Sequence, residues 1–144
     1  MSQSIPVYVT KIQDRTPYIR EFSLAGHHTA LLPFSSGSHI VVDMRLNHRT
    51  LRNAYSLIND PEDSQHYQIA IRLQQASRGG SKFMHQQVKV GDILEISAPL
   101  NLFALHTKAT HHVFIAGGIG ITPFLSHIKY LTRIGGSFEL HYAC

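Results

Sequence analysis

Three short segments carry the residue types that could do chemistry: Asn53-Ala54-Tyr55-Ser56-Leu57, Ser77-Arg78-Gly79-Gly80-Ser81 and Gly117-Gly118-Ile119-Gly120-Ile121-Thr122-Pro123. In the second, two glycines expose consecutive backbone N–H groups, Ser81 adds a hydroxyl, and a helix start adds partial positive charge. Arg78 supplies a planar fork that matches phosphate. Together these make an anion site; the plain alternative is a Gly-Gly turn capped by serine. In the first segment a tyrosine can pack against a flat ring and keep its hydroxyl wet. A serine beside it can hydrogen-bond a ring nitrogen. The alternative there is an edge strand with cross-strand Tyr and Ser. The third segment is a strand–glycine loop–helix junction. It differs from the G-x-G-x-x-G fingerprint, yet shares its logic of close approach and a helix N-terminus facing phosphate. A tight βα turn is the alternative.

The elements that must hold these segments are short strands. Ile40, Val42, Met44 and Leu46 alternate with His39, Asp43 and Arg45, and Tyr67, Ile69, Ile71 and Leu73 alternate with His66, Gln68 and Arg72. Both patterns predict half-buried antiparallel strands. Further strands are expected at 6–12, 18–24, 51–58 and 92–97, with breaks at Pro33, Gly37, Asn59-Asp60-Pro61, Gly91-Asp92 and Pro99. Residues 81–88 read as one short helix with Ser81 as N-cap. The pattern changes near residue 109. His112–Ala116 is an apolar run without alternation, as in a strand buried on both faces. Thr122 as N-cap and Pro123 at the first helical position start a helix, Gly135-Gly136 ends it, and 137–143 is the next strand.

The fold class is mainly β. A six-stranded antiparallel Greek-key barrel with one short helix (residues 1–108) precedes a truncated Rossmann-like α/β fragment of one βαβ unit (residues 109–144). The chain has 144 residues, 43% hydrophobic and 15% charged, with net charge +4. That composition supports a packed core rather than disorder. No apolar run approaches the ~20 residues that span a bilayer, and the start lacks a secretory signal pattern, so a cytoplasmic protein without membrane attachment is expected. The Lys and Arg residues are scattered, which argues against nucleic acid. The single cysteine, Cys144, excludes an internal disulfide or a cysteine-built metal site. The 11 histidines include the pairs His27-His28 and His111-His112; adjacent strand residues face opposite ways, so neither pair chelates and no metal is expected. Solvated loop histidines are the reading.

In this order the three segments resemble the ferredoxin–NADP reductase superfamily. The Arg78-Gly79-Gly80-Ser81 turn resembles the FMN phosphate site of its phthalate dioxygenase reductase branch. Pro99-Leu100-Asn101-Leu102-Phe103 resembles that branch's P-x-N-x-F segment. Asn53–Leu57, with 79–92 and 101–105, is similar to carnitine monooxygenase reductase subunits. The resemblance covers essentially the whole chain.

It implies an oxidoreductase, the flavin part of an NADH-dependent oxygenase reductase. Electrons would run from NADH through FMN to a [2Fe–2S] domain and then to a Rieske-type oxygenase. Tyr55, Ser56, Leu57, Ala70, Ile71 and Arg72 would lie at the flavin ring, with Ser56 at the position where hydride arrives. Arg78, Gly79, Gly80 and Ser81 would hold the phosphate. Gly117, Gly118, Gly120, Thr122 and Pro123 would face the nicotinamide nucleotide. The family carries an arginine two residues before the tyrosine; here Asn53 stands there and Arg52 one place earlier. Because a one-residue slip on a strand reverses its face, either Arg52 reaches the phosphate through a bulge or Arg78 serves largely alone, and weaker FMN binding is expected. The four-cysteine [2Fe–2S] domain of the branch is absent from these residues, and an open sheet face in the α/β part favours a homodimer. The alternative is a non-catalytic flavin- or anion-binding module that docks an oxygenase.

Overall fold

A computed structural model describes residues 4–76 and 78–143. The readings made on Met1–Gln3, Ser77 and Cys144 lie outside the described residues. The strands are β1 (Ile5–Thr16), β2 (Ile19–Gly26), β3 (Ser38–Arg45), β4 (Thr50–Ser56), β5 (Tyr67–Arg72), β6 (Ile93–Ile96), β7 (Leu100–Asn101), β8 (His111–Gly117) and β9 (Ser137–Ala143). Helix α1 spans Gly80–Gln86 and α2 spans Thr122–Ile134. Among the described residues, no helix is long and apolar enough to cross a membrane.

Period-two alternation builds the larger sheet. Ile40, Val42 and Met44 of β3 and Tyr67, Ile69 and Ile71 of β5 turn inward, where they join Val7, Val9, Phe22, Leu24, Leu57 and Ile96 in one core. Burying each such side chain contributes ~1.5–3 kcal/mol.

The expected six-stranded antiparallel Greek-key barrel is corrected on two counts. The sheet has seven strands, in the order β4-β3-β6-β1-β2-β5 with the two-residue β7 paired to β3. It is also open, because β4 and β5 stand at the two ends of that order. Just beyond β4, the Ile58 N–H donates to the Gln68 carbonyl at 2.8 Å. Residues 53–56 of β4 and 70–72 of β5 instead line a common cavity. The seam is where something other than a neighbouring strand can meet the two backbones.

Helix α1 begins one residue earlier than the sequence reading. Gly79 is its N-cap, at φ 117°, a left-handed conformation that glycine adopts without strain. Ser81 therefore does not cap; its Oγ accepts a hydrogen bond from the Gln74 N–H at 3.0 Å. The helix is tied to β5 where the His85 Nε2 meets the Ile71 carbonyl at 2.7 Å.

The C-terminal part is the expected βαβ unit, with β8 and β9 paired in parallel and α2 packed over Phe114 and Ala116 through Phe124 and Leu131. Two readings change here. Thr122 makes no capping hydrogen bond, because a 3-10 turn over Gly118–Ile121 precedes α2 and Ile121 takes the cap position. Strand β8 is covered on one face only, since Val113 and Ile115 are 54% and 77% exposed. Gly135 ends α2 at φ 75° as anticipated.

Three side chains of α2 reach loops flanking the larger sheet. The Ser126 hydroxyl donates to the Asn59 carbonyl at 2.7 Å. The His127 ring contacts Ser36 and Phe103. Arg133 forms a two-pronged pair with Asp60 at 2.9 and 3.2 Å. Together they fix the third segment over the seam between β4 and β5.

Candidate functional site

A cavity of about 630 Å³ lies in that seam, and all three chemical segments line it. One wall is Asn53, Ala54, Tyr55 and Ser56 of β4, and the facing wall is Ala70, Ile71 and Arg72 of β5. Gln74, Ala76, Arg78, Gly80 and Ser81 close one end, while Ile119, Gly120, Thr122 and Pro123 border it from the α/β part. The volume lies within the ~300–1,000 Å³ of small-molecule sites.

A hydrogen-bonded chain runs along the β4 wall. Arg78 Nη2 donates to Asn53 Oδ1 at 3.2 Å, and Asn53 Nδ2 donates to the Tyr55 hydroxyl at 3.3 Å. The Tyr55 oxygen thus accepts from Asn53 and keeps its proton for a ligand. Burial raises the Tyr55 pKa above the usual phenol value, outweighing the Asn53 hydrogen bond that lowers it, so the proton stays in place at neutral pH. Arg49 Nη2 donates to the Arg78 carbonyl, which steadies the turn. A Cβ on Gly80 would lie 2.5 Å from Asn53 Nδ2, so a larger residue there would displace the Asn53 amide.

The charge is one-signed. Among the described residues, Arg72 and Arg78 line the cavity and no Asp or Glu does, so an anionic ligand is favoured. Because α1 has only seven residues, its dipole adds little, and the donors this end of the cavity offers an anion are the Arg78 fork and the Ser81 hydroxyl. Beside the large cavity lies a smaller one of about 400 Å³, which shares Ala54, Ser56 and Pro123 and adds Gly37, His39, Leu102 and Phe103.

Twelve residues singled out in the sequence meet at the cavity: Asn53, Tyr55, Ser56, Ala70, Ile71, Arg72, Arg78, Gly80, Ser81, Gly120, Thr122 and Pro123. Five do not line it. Arg52 points to the other side of β4 and pairs with Asp43 at 2.8 Å. The register of β3 on β4 is unbroken from residue 50 to 56, so no bulge turns Arg52 inward and Arg78 is the arginine at this end. Leu57 is fully buried in the core. Gly79 caps α1 from outside, and Gly117 and Gly118 shape the turn that brings Gly120 forward. Ala54 and Ile119 lie within the first and third segments without an assigned role there, and Gln74 and Ala76 lie outside all three segments. Among the described residues, no three His, Cys, Asp or Glu side chains gather so as to hold a metal ion.

The sequence matches the oxidoreductase FAD-binding domain family over residues 6–105. The chain belongs to that family. It is 51% identical over 143 residues to the heme-dependent oxidative N-demethylase beta subunit of Ectopseudomonas mendocina (strain ymp), covering 99% of this chain and 45% of that protein. It is 50% identical over 141 residues to the carnitine monooxygenase reductase subunit of Escherichia coli (strain K12), covering 97% of this chain and 44% of that one. The structure superposes with a TM-score of 0.89 and 33% identity on phthalate dioxygenase reductase, described as a modular structure for electron transfer from pyridine nucleotides to [2Fe–2S], over 96% of this chain and 43% of that one. The chain thus spans a little under half the length of these relatives.

Proposed function

We propose that residues 1–108 form an FMN-binding domain and residues 109–144 the start of a nicotinamide-nucleotide domain. The single observation that carries this is the cavity where Tyr55 and Ser56, Arg78 and Ser81, and Gly120 and Thr122 converge. The residues fit the group. Ala54, Ala70 and Ile71 supply small or apolar surface for a flat ring, and Ser56 a hydroxyl at its edge. The Tyr55 proton is available to donate. Arg78 and Ser81 supply donors for a terminal phosphate. A Cβ on Gly120 would meet nothing within 4 Å, which leaves room for a second ring from that side.

FMN held there would accept a hydride from NADH and release electrons one at a time. The side chains orient, donate hydrogen bonds and exclude water; Ser56 is the hydroxyl we assign to the hydride-accepting edge, and no general base is needed. In an assembly like that of the full-length relatives, the electrons would pass through a [2Fe–2S] domain to a Rieske-type oxygenase, and similarity to the E. coli protein supports carnitine as the substrate. A cytoplasmic setting fits that role. The open face of β8 and β9 supports a homodimer.

The test is the visible absorption spectrum before and after addition of FMN or FAD, followed by desalting. Flavin bands retained with FMN, and weaker retention with FAD, support the assignment. A folded protein that retains neither flavin overturns it.

A further inference from the structure

We propose that His127 is a positioning residue for hydride transfer: it locks the nicotinamide-side end of α2 to two loops of the larger sheet. The inference rests on the flavin–nicotinamide reading above.

His127 lies on the buried stripe of α2, three residues after Phe124 and four before Leu131, and is 1% exposed. An aliphatic residue would fill that space without the cost of burying an imidazole. The ring nitrogens offset that cost. Nε2 lies 2.9 Å from the Phe103 carbonyl and Nδ1 lies 2.8 Å from the Ser36 hydroxyl. A carbonyl can only accept, so Nε2 carries the proton, and the bare Nδ1 accepts from Ser36. The ring stacks on Phe114 of β8 at 5.7 Å and 17°, and lies 5.6 Å from the Phe103 ring. Gly37 completes the joint: a Cβ there would lie 2.2 Å from the Phe103 oxygen and 2.9 Å from His127 Cε1.

The joint touches the site at both ends. Gly37 and Phe103 line the smaller cavity, and Pro123, one turn before His127, lines both cavities. Pro123 and Thr122 are joined to His127 through the rigid first turns of α2. A shift of that helix therefore moves the nicotinamide-side wall relative to Ser56. Rates of group transfer fall steeply when reacting atoms move by about 1 Å, so the joint governs rate more than flavin affinity.

The experiment compares His127→Phe, His127→Gln and Ser36→Ala with the parent 144-residue chain. Phenylalanine keeps the stacking but leaves the Phe103 carbonyl and Ser36 hydroxyl unpaired. Glutamine restores one donor and one acceptor. Without flavin, backbone amide hydrogen exchange in the first two turns of α2 should quicken about tenfold in His127→Phe and return to within about twofold of the parent in His127→Gln. With FMN bound, the reduction rate at saturating NADH, per flavin-loaded molecule, should fall at least about fivefold in His127→Phe while FMN affinity stays within about twofold. Ser36→Ala, which removes one small partner, should show the same pattern at about twofold to threefold. Parent-like exchange in α2, a parent-like reduction rate, or failure of glutamine to restore either overturns the proposal. If no form binds FMN, the function reading fails, and the exchange comparison still decides whether His127 locks α2.

Discussion

Arg78 and Tyr55 do opposite jobs on one hydrogen-bonded chain, with Asn53 between them as donor to one and acceptor from the other. Hydrogen bonds to charged groups contribute ~1.5–3 kcal/mol, or about tenfold to a hundredfold in affinity. Arg78→Ala should therefore weaken FMN binding by about that factor while riboflavin, which lacks the phosphate, changes by less than about twofold. Titration calorimetry with both ligands checks this, and equal losses for the two would remove Arg78 from the phosphate site. Asn53→Ala should cost about threefold to tenfold for either ligand, because it frees Arg78 and leaves the Tyr55 hydroxyl without its donor. These residues were legible because arginine, tyrosine and serine carry chemistry in their type. Ala54, Gln74, Ala76 and Ile119 carry no such signature and line the cavity only through the strand and loop ends that hold them. His127 was read with the solvated histidines; its place on the Phe124–Leu131 stripe was the available signal.

At the scale of elements, alternation revealed most strand positions, since one face of each strand is buried. It could not reveal the open seam, which depends on which strands are neighbours rather than on any strand's pattern. The capping errors share a cause: Gly79 and the 3-10 turn before α2 take the positions that Ser81 and Thr122 would favour by type. Two tests follow from how elements are held. Tyr67 of β5 is buried and donates its hydroxyl to the Leu32 carbonyl at 2.5 Å, and burial pushes its pKa up to about 12. A raised folded-state pKa gives stability that is complete below the unfolded value near 10 and is lost as pH rises toward 12. Alkaline unfolding followed by circular dichroism should begin in that window, and Tyr67→Phe should flatten the loss. His127 has the reverse sign. Burial lowers its pKa below 6.5, outweighing the Phe103 hydrogen bond that raises it, and nearby His112 adds to the lowering. The docking of α2 should therefore be complete above about pH 6.5 and weaken as pH falls below it, seen as faster amide exchange in α2 at pH 5 than at pH 7. Exchange of equal protection, after correction for the intrinsic pH effect, would contradict it.

For the molecule as a whole, the informative surface is the uncovered face of β8 and β9. Val113 and Ile115 stand out from it, bordered by His111, His141 and the Glu139 that both histidines contact at 3.1 and 3.0 Å. The histidines hold the Glu139 carboxyl below its usual range, so that border stays charged while its centre is apolar, an arrangement suited to pairing with a like surface. Burying the two aliphatic side chains on each of two copies yields roughly 4–8 kcal/mol. Association itself costs about 4–15 kcal/mol, so the net gain is at most about 4 kcal/mol and the pair must be weak, with a dissociation constant of about 1 mM or higher. Sedimentation velocity should therefore show monomer at about 10 µM and a growing dimer fraction toward the millimolar range. Ile115→Glu should abolish the dimer, because it places a charge at the centre of the apolar patch. Association could instead use the free edges of this two-stranded sheet, and the variants separate the two routes. Edge pairing would survive Ile115→Glu, whose side chain points off the sheet face, whereas face pairing would not. A dimer that persists in Ile115→Glu therefore assigns the contact to the strand edges, and a protein that stays monomeric at every concentration removes the homodimer from the proposed function.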